Sequence, residues 1–507
     1  MKLRTHALRP RAAVLATLTT LFLAACGGGG GGDAGPAPGP AAGGGAPAAT
    51  TAVQIGSSVT ARPNTSYAVV ADGSSPIGIS LAMADAVQPG DTVRVTGAGS
   101  APWQLTTGWV PPTAARPSPM PIVIDTRNLA GNPQPGQVWT PRLTPMEWHW
   151  VASDRLGRVL VAMDNPGQIH VSRDAGQTWD PGLSPVQNWV GASVYHTSGP
   201  NDVNGLENVN VLAAAFGGGL FETNSSGFWV AVQSGMPGVD FSVRDWESVS
   251  AIDQGVAIAA ALGAPIYYRA STSSPWVATV LQGTTTPTVS GWRGIALSQT
   301  GVAVAGSQDG ELLVSTNLAN GWTPRPVVVN GTVLRDSWYR AAIARDGSVM
   351  AIAGRFNSGL YLSRDQGVTW TRANTPTGDY TAVSINGDGS VIAATLTNAT
   401  GAGAPTGSVQ VSRDGGATFA PLQMPGTDTN WRAVALSSDG NALTVAAGTF
   451  TALTGQLYTS VGNRTSYGPG RLEGGRGSSV ELVFDGATPE GAARWSVRSS
   501  SGTFSVR

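Results

Sequence analysis

Hydrolysis of a glycosidic bond needs two carboxyl groups, one to give a proton and one to attack or to activate water. Between residues 147 and 462 the chain has five glutamates, Glu147, Glu207, Glu222, Glu247 and Glu311, none beside a tyrosine that could act as nucleophile. Asp245, Asp336 and Asp379 are candidates for a carboxylate pair assembled by folding, against the reading that they form turns or face solvent. His149, His170 and His196 lack the His-x-His or His-x-x-x-His spacing that puts two imidazoles on one metal, so no metal site is expected. Gly217-Gly218-Gly219 opens no helical pattern and reads as a turn, not a phosphate cradle. No cofactor is expected. Cys26 is the only cysteine, which excludes a disulfide framework and any Cys-based zinc site.

A second set of polar residues recurs along the chain. Aromatics open apolar strands at Trp148, Trp189, Trp246, Trp292, Trp338, Tyr380 and Trp431. The residues just before them are Glu147, Asn188, Asp245, Gly291, Ser337, Asp379 and Asn430, with Arg244, Arg335 and Arg355 on neighbouring loops. If the strands surround a common axis, Glu147, Asn188, Asp245, Asp379 and Asn430 ring its mouth. Such a ring could hydrogen-bond sugar hydroxyls or hold a hard cation through oxygen ligands. The competing reading is that Asn and Asp start strands well after turns.

The elements that would position these residues are short and repeated. Three segments are near copies: Ser172-Arg-Asp174-Ala-Gly176-Gln-Thr-Trp179, Ser363-Arg-Asp365-Gln-Gly367-Val-Thr-Trp370 and Ser412-Arg-Asp414-Gly-Gly416-Ala-Thr-Phe419. In each, the carboxylate can accept turn amides, the Gly tolerates positive φ, and the aromatic can pack between sheets. Degenerate copies give a third-position series of Asp174, Asn224, Ser273, Asn317, Asp365, Asp414 and Gly462, spaced by 50, 49, 44, 48, 49 and 48 residues. The opening aromatics count the same seven units independently. Strands near five residues, punctuated by Gly turns and without a long 3.6-residue period, predict an all-β chain. Units of 40–50 residues with four strands predict a seven-bladed β-propeller over 137–470, whose closed ring removes sheet edges.

The three segments resemble the Asp-box, or BNR repeat, of propellers in sialidases, sortilin-type receptors, xyloglucanase-type glycosidases and photosystem II assembly factors. The resemblance implies the fold; in that family the boxes themselves do no chemistry. A sialidase would also carry an Arg-Ile-Pro motif, an arginine triad, a Tyr–Glu pair and an acid Asp. The first unit, WHWVASDRLGRVLVAM, has Arg155 and Arg158 but no Arg-Ile-Pro, and the Tyr–Glu pair is not found. The concentrated arginine patch expected of an assembly factor is not apparent either. The expected role is therefore noncatalytic binding or scaffolding of a protein or glycan. The alternatives are a glycan-acting hydrolase of the same superfold and an assembly factor.

Lys2, Arg4, Arg9 and Arg11 precede an apolar run from Ala12 to Ala25 that is too short for a confident membrane span, the pattern of a signal peptide over 1–25. Its end, Leu23-Ala24-Ala25-Cys26, resembles the bacterial lipobox, which implies lipidation of Cys26 and a stable anchor in an envelope membrane. Gly27, where Gram-negative sorting rules would have Asp for retention, implies the outer membrane. Removing residues 1–25 leaves 26 cationic residues against 31 acidic ones, a net charge near −5 that gives no basic face for nucleic acid. Residues 26–50 are a Gly/Ala/Pro tether. The mature protein is expected to be a monomer.

Two further segments complete the plan. Residues 137–143 carry Trp139-Thr-Pro-Arg142, which recurs at Trp322-Thr-Pro-Arg325, and the seventh unit has no good outer strand of its own. The early segment is thus expected to close the ring. Segments 51–136 and 471–507 are β-rich. The stretches 87–106 and 477–507 resemble halves of a small β-module of bacterial surface and phage-tail-associated proteins, so 471–507 is expected to pair with 51–110.

Overall fold

The computed structural model describes residues 51–81, 87–106, 122–125, 129, 135–181, 183–197, 209–224, 226–242, 244–355, 359–399, 407–448, 455–461, 471–487 and 493–506. Cys26, the signal segment, the tether, Glu207 and Gly462 lie outside them. Among the described residues no helix is long and apolar enough to cross a membrane. Apart from two 3-10 turns the elements among the described residues are strands, and the chain is an all-β propeller.

Among the described residues, antiparallel four-stranded meanders follow one another from inner strands Trp148–Ser153, Trp189–His196, Trp246–Ala251, Ser290–Leu297, Trp338–Ile343, Gly378–Ile385 and Trp431–Leu436. The third and fourth are bridged where Leu262 pairs with Gly291. The last takes its fourth strand from far upstream: Thr140–Met146 runs antiparallel to Gly455–Val461, with Thr140 opposite Thr459 and Arg142 opposite Leu457. That strand covers an edge that would otherwise expose unpaired N–H and C=O groups.

Each opening aromatic leaves its own sheet to pack on the one before. Trp189 sits with Met163 and Ile169. Trp246 lies against Leu212 and Leu220, and Trp338 against Val304 and Leu312. Trp148, in the first sheet, packs on Ala433, Ala446 and Leu457 of the last. The small residues of the second strands, such as Ala257, Ala259 and Ala261, make room for these indoles close to the axis. Gly294 shows how close the approach is: a Cβ there would lie 2.7 Å from the main-chain carbon of Arg340 in the next sheet.

A belt of hydrogen bonds also runs around the axis through the turns after the inner strands. Ser438 N donates to Arg155 O at 2.8 Å, Gly387 N to Ser438 O at 2.7 Å, Arg345 N to Gly387 O at 3.0 Å and Gln299 N to Arg345 O at 2.9 Å. Side chains carry it onward: Asp253 N donates to Gln299 Oε1 at 3.2 Å, His196 N to Asp253 Oδ1 at 3.1 Å, and His196 Nε2 meets Asp154 Oδ2 at 3.3 Å. All the inner-strand turns are thereby joined into one circuit.

The three Ser-Arg-Asp segments are tight hairpins on that same face. Ser172 Oγ donates to Asp174 Oδ1 at 2.8 Å and accepts Gly176 N at 2.7 Å; Thr178 Oγ1 donates to Asp174 Oδ2 at 2.6 Å. The segments at Asp365 and Asp414 repeat these bonds. Gly176 has φ of 84° and sits against Thr459 of the last sheet, so both conformation and space require Gly there.

The two ends of the chain build a second body together. Thr51–Ile55, Thr65–Val69 and Thr92–Gly97 stack in parallel, and Val59–Thr60, Ile77–Ser80 and Trp103–Thr106 form a second parallel set. Ser479–Ala487 then pairs antiparallel with Thr92–Gly97, and Arg471–Gly474 with Trp103–Thr106. Alternate residues from both ends, among them Val93, Trp103, Val480, Leu482 and Trp495, share one buried core.

Candidate functional site

In a four-stranded meander the start of the inner strand lies at the opposite end from the third-to-fourth hairpin. The residues before the opening aromatics therefore share the face opposite the Ser-Arg-Asp hairpins. Their main chains are committed: the carbonyls of Glu147, Asn188, Asp245, Gly291, Ser337 and Asn430 accept N–H groups from Asn165, Phe216, Leu262, Gln308, Arg355 and Gly448 at 2.8–3.2 Å. The Asp379 carbonyl accepts the Thr397 hydroxyl at 3.3 Å. Asn188, Asp245 and Asn430 are exposed, and Glu147 and Asp379 are half-buried. These five positions are equivalent, as the repeat requires. Among the described residues, however, no three Asp, Glu, His or Cys come together as metal ligands.

The side chains that do converge stand two and three residues further on, just past the opening aromatics. Every inner strand carries a bulge directly after its opening aromatic, which places His149, Val190, Glu247, Arg293, Tyr339, Thr381 and Arg432 out of the ladder. The next residues are Trp150, Gly191, Ser248, Gly294, Arg340, Ala382 and Ala433. Small groups at five of those positions leave the axis to Trp150 and Arg340.

Arginines cluster here around one tyrosine. The guanidinium carbons of Arg340, Arg355 and Arg293 lie 4.1, 4.4 and 5.8 Å from the centre of the Tyr339 ring. Arg340 also faces Trp150 at 4.9 Å. Burial would raise the Tyr339 phenol, but Arg340, Arg355 and Arg432 outweigh it and hold the phenol below its ordinary value. Burial lowers the Arg432 guanidinium, as do Arg340 and Arg355 beside it. Burial raises Glu247, whose partner is Arg293 at 3.1 Å. His149 is pushed down to about 3 by burial, then by Arg432 and Arg340. It is neutral at pH 7, with the Nδ1 proton donated to the Trp189 carbonyl at 3.0 Å. Arg293, Arg340, Arg355 and Arg432, scattered in the linear sequence, come together in the fold because the inner strands converge on one axis.

Beneath this mouth, between the inner strands, lies a cavity of about 270 Å³. Trp150 and Arg340 line its upper part, and Ser193, Ser248, Ser250 and Ser384 its walls. Its floor is ionic: Asp253 pairs with Arg155 at 2.8 Å and with Arg345.

The carboxylates need one correction. Contrary to the sequence expectation, Glu222 does have a tyrosine beside it: Tyr195 donates its hydroxyl proton to Glu222 Oε1 at 2.6 Å. Arg269, stacked on Trp276 at 5.1 Å, pairs with both Glu222 oxygens. The pair was hidden because Tyr195 and Glu222, 27 residues apart, stand on the first and third strands of the second sheet and meet across the strand between them, and Arg269 joins them from the third sheet. Burial and then Glu222 raise the phenol well above its ordinary value, the reverse of what an activated nucleophile needs. Of the aspartates named from sequence, Asp336 is raised to about 6, first by burial and then by Asp379. Its Oδ2 is buried without a hydrogen-bond partner.

No family model matches the chain, and no curated protein matches it. Among solved structures it is similar to "YCF48 bound to D1 peptide", with 16% identity and a TM-score of 0.44 over 66% of this chain and 98% of that one. It is also similar to YCF48 from Cyanidioschyzon merolae, with 15% identity and a TM-score of 0.44 over 64% of this chain and 98% of that one.

Proposed function

We propose that this chain is a noncatalytic binding or scaffold protein, lipid-anchored at Cys26 in the cell envelope, that takes an envelope or extracellular protein or glycan at the mouth of its channel. The observation that carries the reading is the Tyr339 cluster. Cations and an aromatic face converge there, whereas Glu247 is tied up by Arg293. Such a surface recognises acidic and planar groups and offers no paired acid and base. The Ser-Arg-Asp hairpins, read as Asp-boxes, serve the fold from the opposite face.

Two variants test it. Cys26→Ser should move the protein from detergent-soluble membrane to soluble fractions. Retention on the membrane after a salt wash would count against the anchor. Arg355→Ala with Tyr339→Ala should abolish capture of envelope glycan or protein, while Asp174→Ala should not.

A second reading has one observation in its favour. Asp336, held at about 6 beside Asp379, has the proton affinity of a general acid, as a glycan hydrolase would need. Release of reducing ends from an envelope glycan, lost in Asp336→Asn, would select it over binding alone.

A further inference from the structure

Arg340 lines the cavity and is only 4% exposed. Its Nη1 donates to the Tyr339 carbonyl at 3.0 Å, and its Nε is buried with no hydrogen-bond partner. The other buried arginines, Arg155 and Arg269, have carboxylates: Arg155 shares Asp253 with the half-buried Arg345, and Arg269 has Glu222. Among the described residues Arg340 forms no ion pair. Glu247, the nearby buried acid, is held by Arg293. A cation withdrawn from water without a counterion is strongly unfavourable. Stacking between Trp150 and Tyr339 offsets part of that cost, but a ring face cannot accept the in-plane N–H bonds.

We infer that the channel is an oxyanion site, in which the guanidinium of Arg340 holds the carboxylate or phosphate group of a small ligand. The inference rests on the reading of the mouth as the binding face and adds the chemistry of what enters it. An arginine edge presents two parallel N–H groups, matched to the two oxygens of such an anion, and the stacked rings fix its plane. The walls supply further donors. Ser250 Oγ accepts Leu297 N at 3.1 Å and Ser384 Oγ accepts Leu436 N at 3.1 Å, which leaves each hydroxyl proton to donate. The cavity's own acids lie at the floor and are already claimed, Asp253 by Arg155 and Arg345, Asp154 by His196 and the Arg158 and Val159 amides. A volume of about 270 Å³ admits phosphate or a short dicarboxylate, not a folded chain.

Calorimetric titration of the mature chain at constant ionic strength, with sodium phosphate, sodium succinate and sodium chloride as separate probes, tests the site. Saturable binding of phosphate or succinate, with chloride inert, is expected. The tighter of the two says whether the natural group is a phosphate or a carboxylate. Arg340→Gln should weaken binding at least tenfold, and Arg340→Lys should fall between, since it keeps charge and loses the planar edge. If Arg340→Gln does not fold, Ser250→Ala with Ser384→Ala, which leaves the guanidinium in place, should weaken binding severalfold. A wild type that binds neither anion holds water only, and that overturns the inference; so does wild-type affinity in Arg340→Gln. Capture of envelope material by the same preparations separates the two readings. Capture without anion binding overturns the oxyanion site alone, whereas anion binding without capture supports the site and removes the proposed partner.

Discussion

Arg142 Nε donates a 2.8 Å hydrogen bond to the hydroxyl of Thr459, joining strands 317 residues apart in the chain. Gly136 N adds a bond to Ser460 Oγ at 2.7 Å. The last sheet of the propeller is thus completed by residues that precede the first. A ring closed this way depends on noncovalent pairing alone, so the latch can be removed without touching the seven inner strands. Chains covering 135–461 and 147–461 make the comparison. The first should be monomeric and unfold cooperatively. The second should expose the Gly455–Val461 edge and associate, as light scattering would report. Equal size and equal Tm for the two would show that the strand is dispensable.

The Ser-Arg-Asp hairpins separate turn chemistry from packing. Trp370 is buried against the preceding sheet and donates Nε1 to the Arg325 carbonyl at 3.1 Å, so Trp370→Ala should cost about 3–5 kcal/mol. Asp365 is largely exposed, and Asp365→Ala should cost only about 1 kcal/mol, the net worth of its turn bonds. Desolvation works to raise Asp365, but hydrogen bonds from Thr369 and Ser363 hold it below the ordinary carboxylate value. A lowered carboxylate stabilises the fold above its unfolded pKa, and the gain is lost as pH falls through the folded value. The difference between wild type and Asp365→Ala in urea titrations should therefore shrink in acid. A constant difference from neutral pH down to pH about 2 would refute the role given to these bonds.

Much of this architecture is legible in the chain because a propeller repeats its instructions. The aromatics at Trp148 through Trp431 and the boxes at Asp174, Asp365 and Asp414 mark the same units from two sides. The recurrence of Trp139-Thr-Pro-Arg142 at Trp322-Thr-Pro-Arg325 points to an outer strand. The arginine and tyrosine cluster begins two residues after the polar positions singled out from the sequence. Asn and Asp at Asn188, Asp245 and Asn430 drew notice as polar groups, yet their role in the fold is main-chain: carbonyls that accept the amide ending the second strand. The bulge that turns His149, Glu247, Tyr339 and Arg432 out of register leaves no mark in a list of residue types. Aligning the units two positions downstream would have shown Arg293, Tyr339 and Arg432 in one column, with Arg340 in the next. The Tyr195–Glu222–Arg269 network could not be found that way, since it joins non-adjacent strands of one sheet and an arginine of the next.

Asp336 sets a pH dependence of the opposite sign to Asp365. Its folded pKa, about 6, lies above the ordinary carboxylate value because burial and then Asp379 disfavour the charge. A raised carboxyl stabilises the fold most below its unfolded pKa, and that contribution is lost as pH rises through about 6. Asp336→Asn keeps an acceptor for the Ser337 amide, now 2.6 Å from Oδ1, without the charge. The variant should melt higher than wild type at pH 8, and the gap should close by pH about 4. The same gap at both values would mean that Asp336 carries no unfavourable charge in the fold.

The last expectation concerns Glu222, the residue whose surroundings most suggest chemistry. Arg269 is 2% exposed and receives both Glu222 oxygens, and Glu222 also accepts the Tyr195 hydroxyl. If this triad is structural, the energetic weight rests on the ion pair, because removing one partner strands a buried charge. Glu222→Gln should then cost about 3–5 kcal/mol, the usual penalty for breaking a buried pair. Tyr195→Phe removes one hydrogen bond and should cost about 1 kcal/mol. Neither variant, assayed below its own Tm, should lose ligand binding at the channel mouth, which lies on other residues. Double-mutant measurement of Glu222→Gln with Arg269→Met supplies the check, since removing both charges should recover part of the loss. If Tyr195→Phe instead abolishes an activity while its Tm stays within a degree or so of wild type, the triad is a site and the structural account of it is wrong.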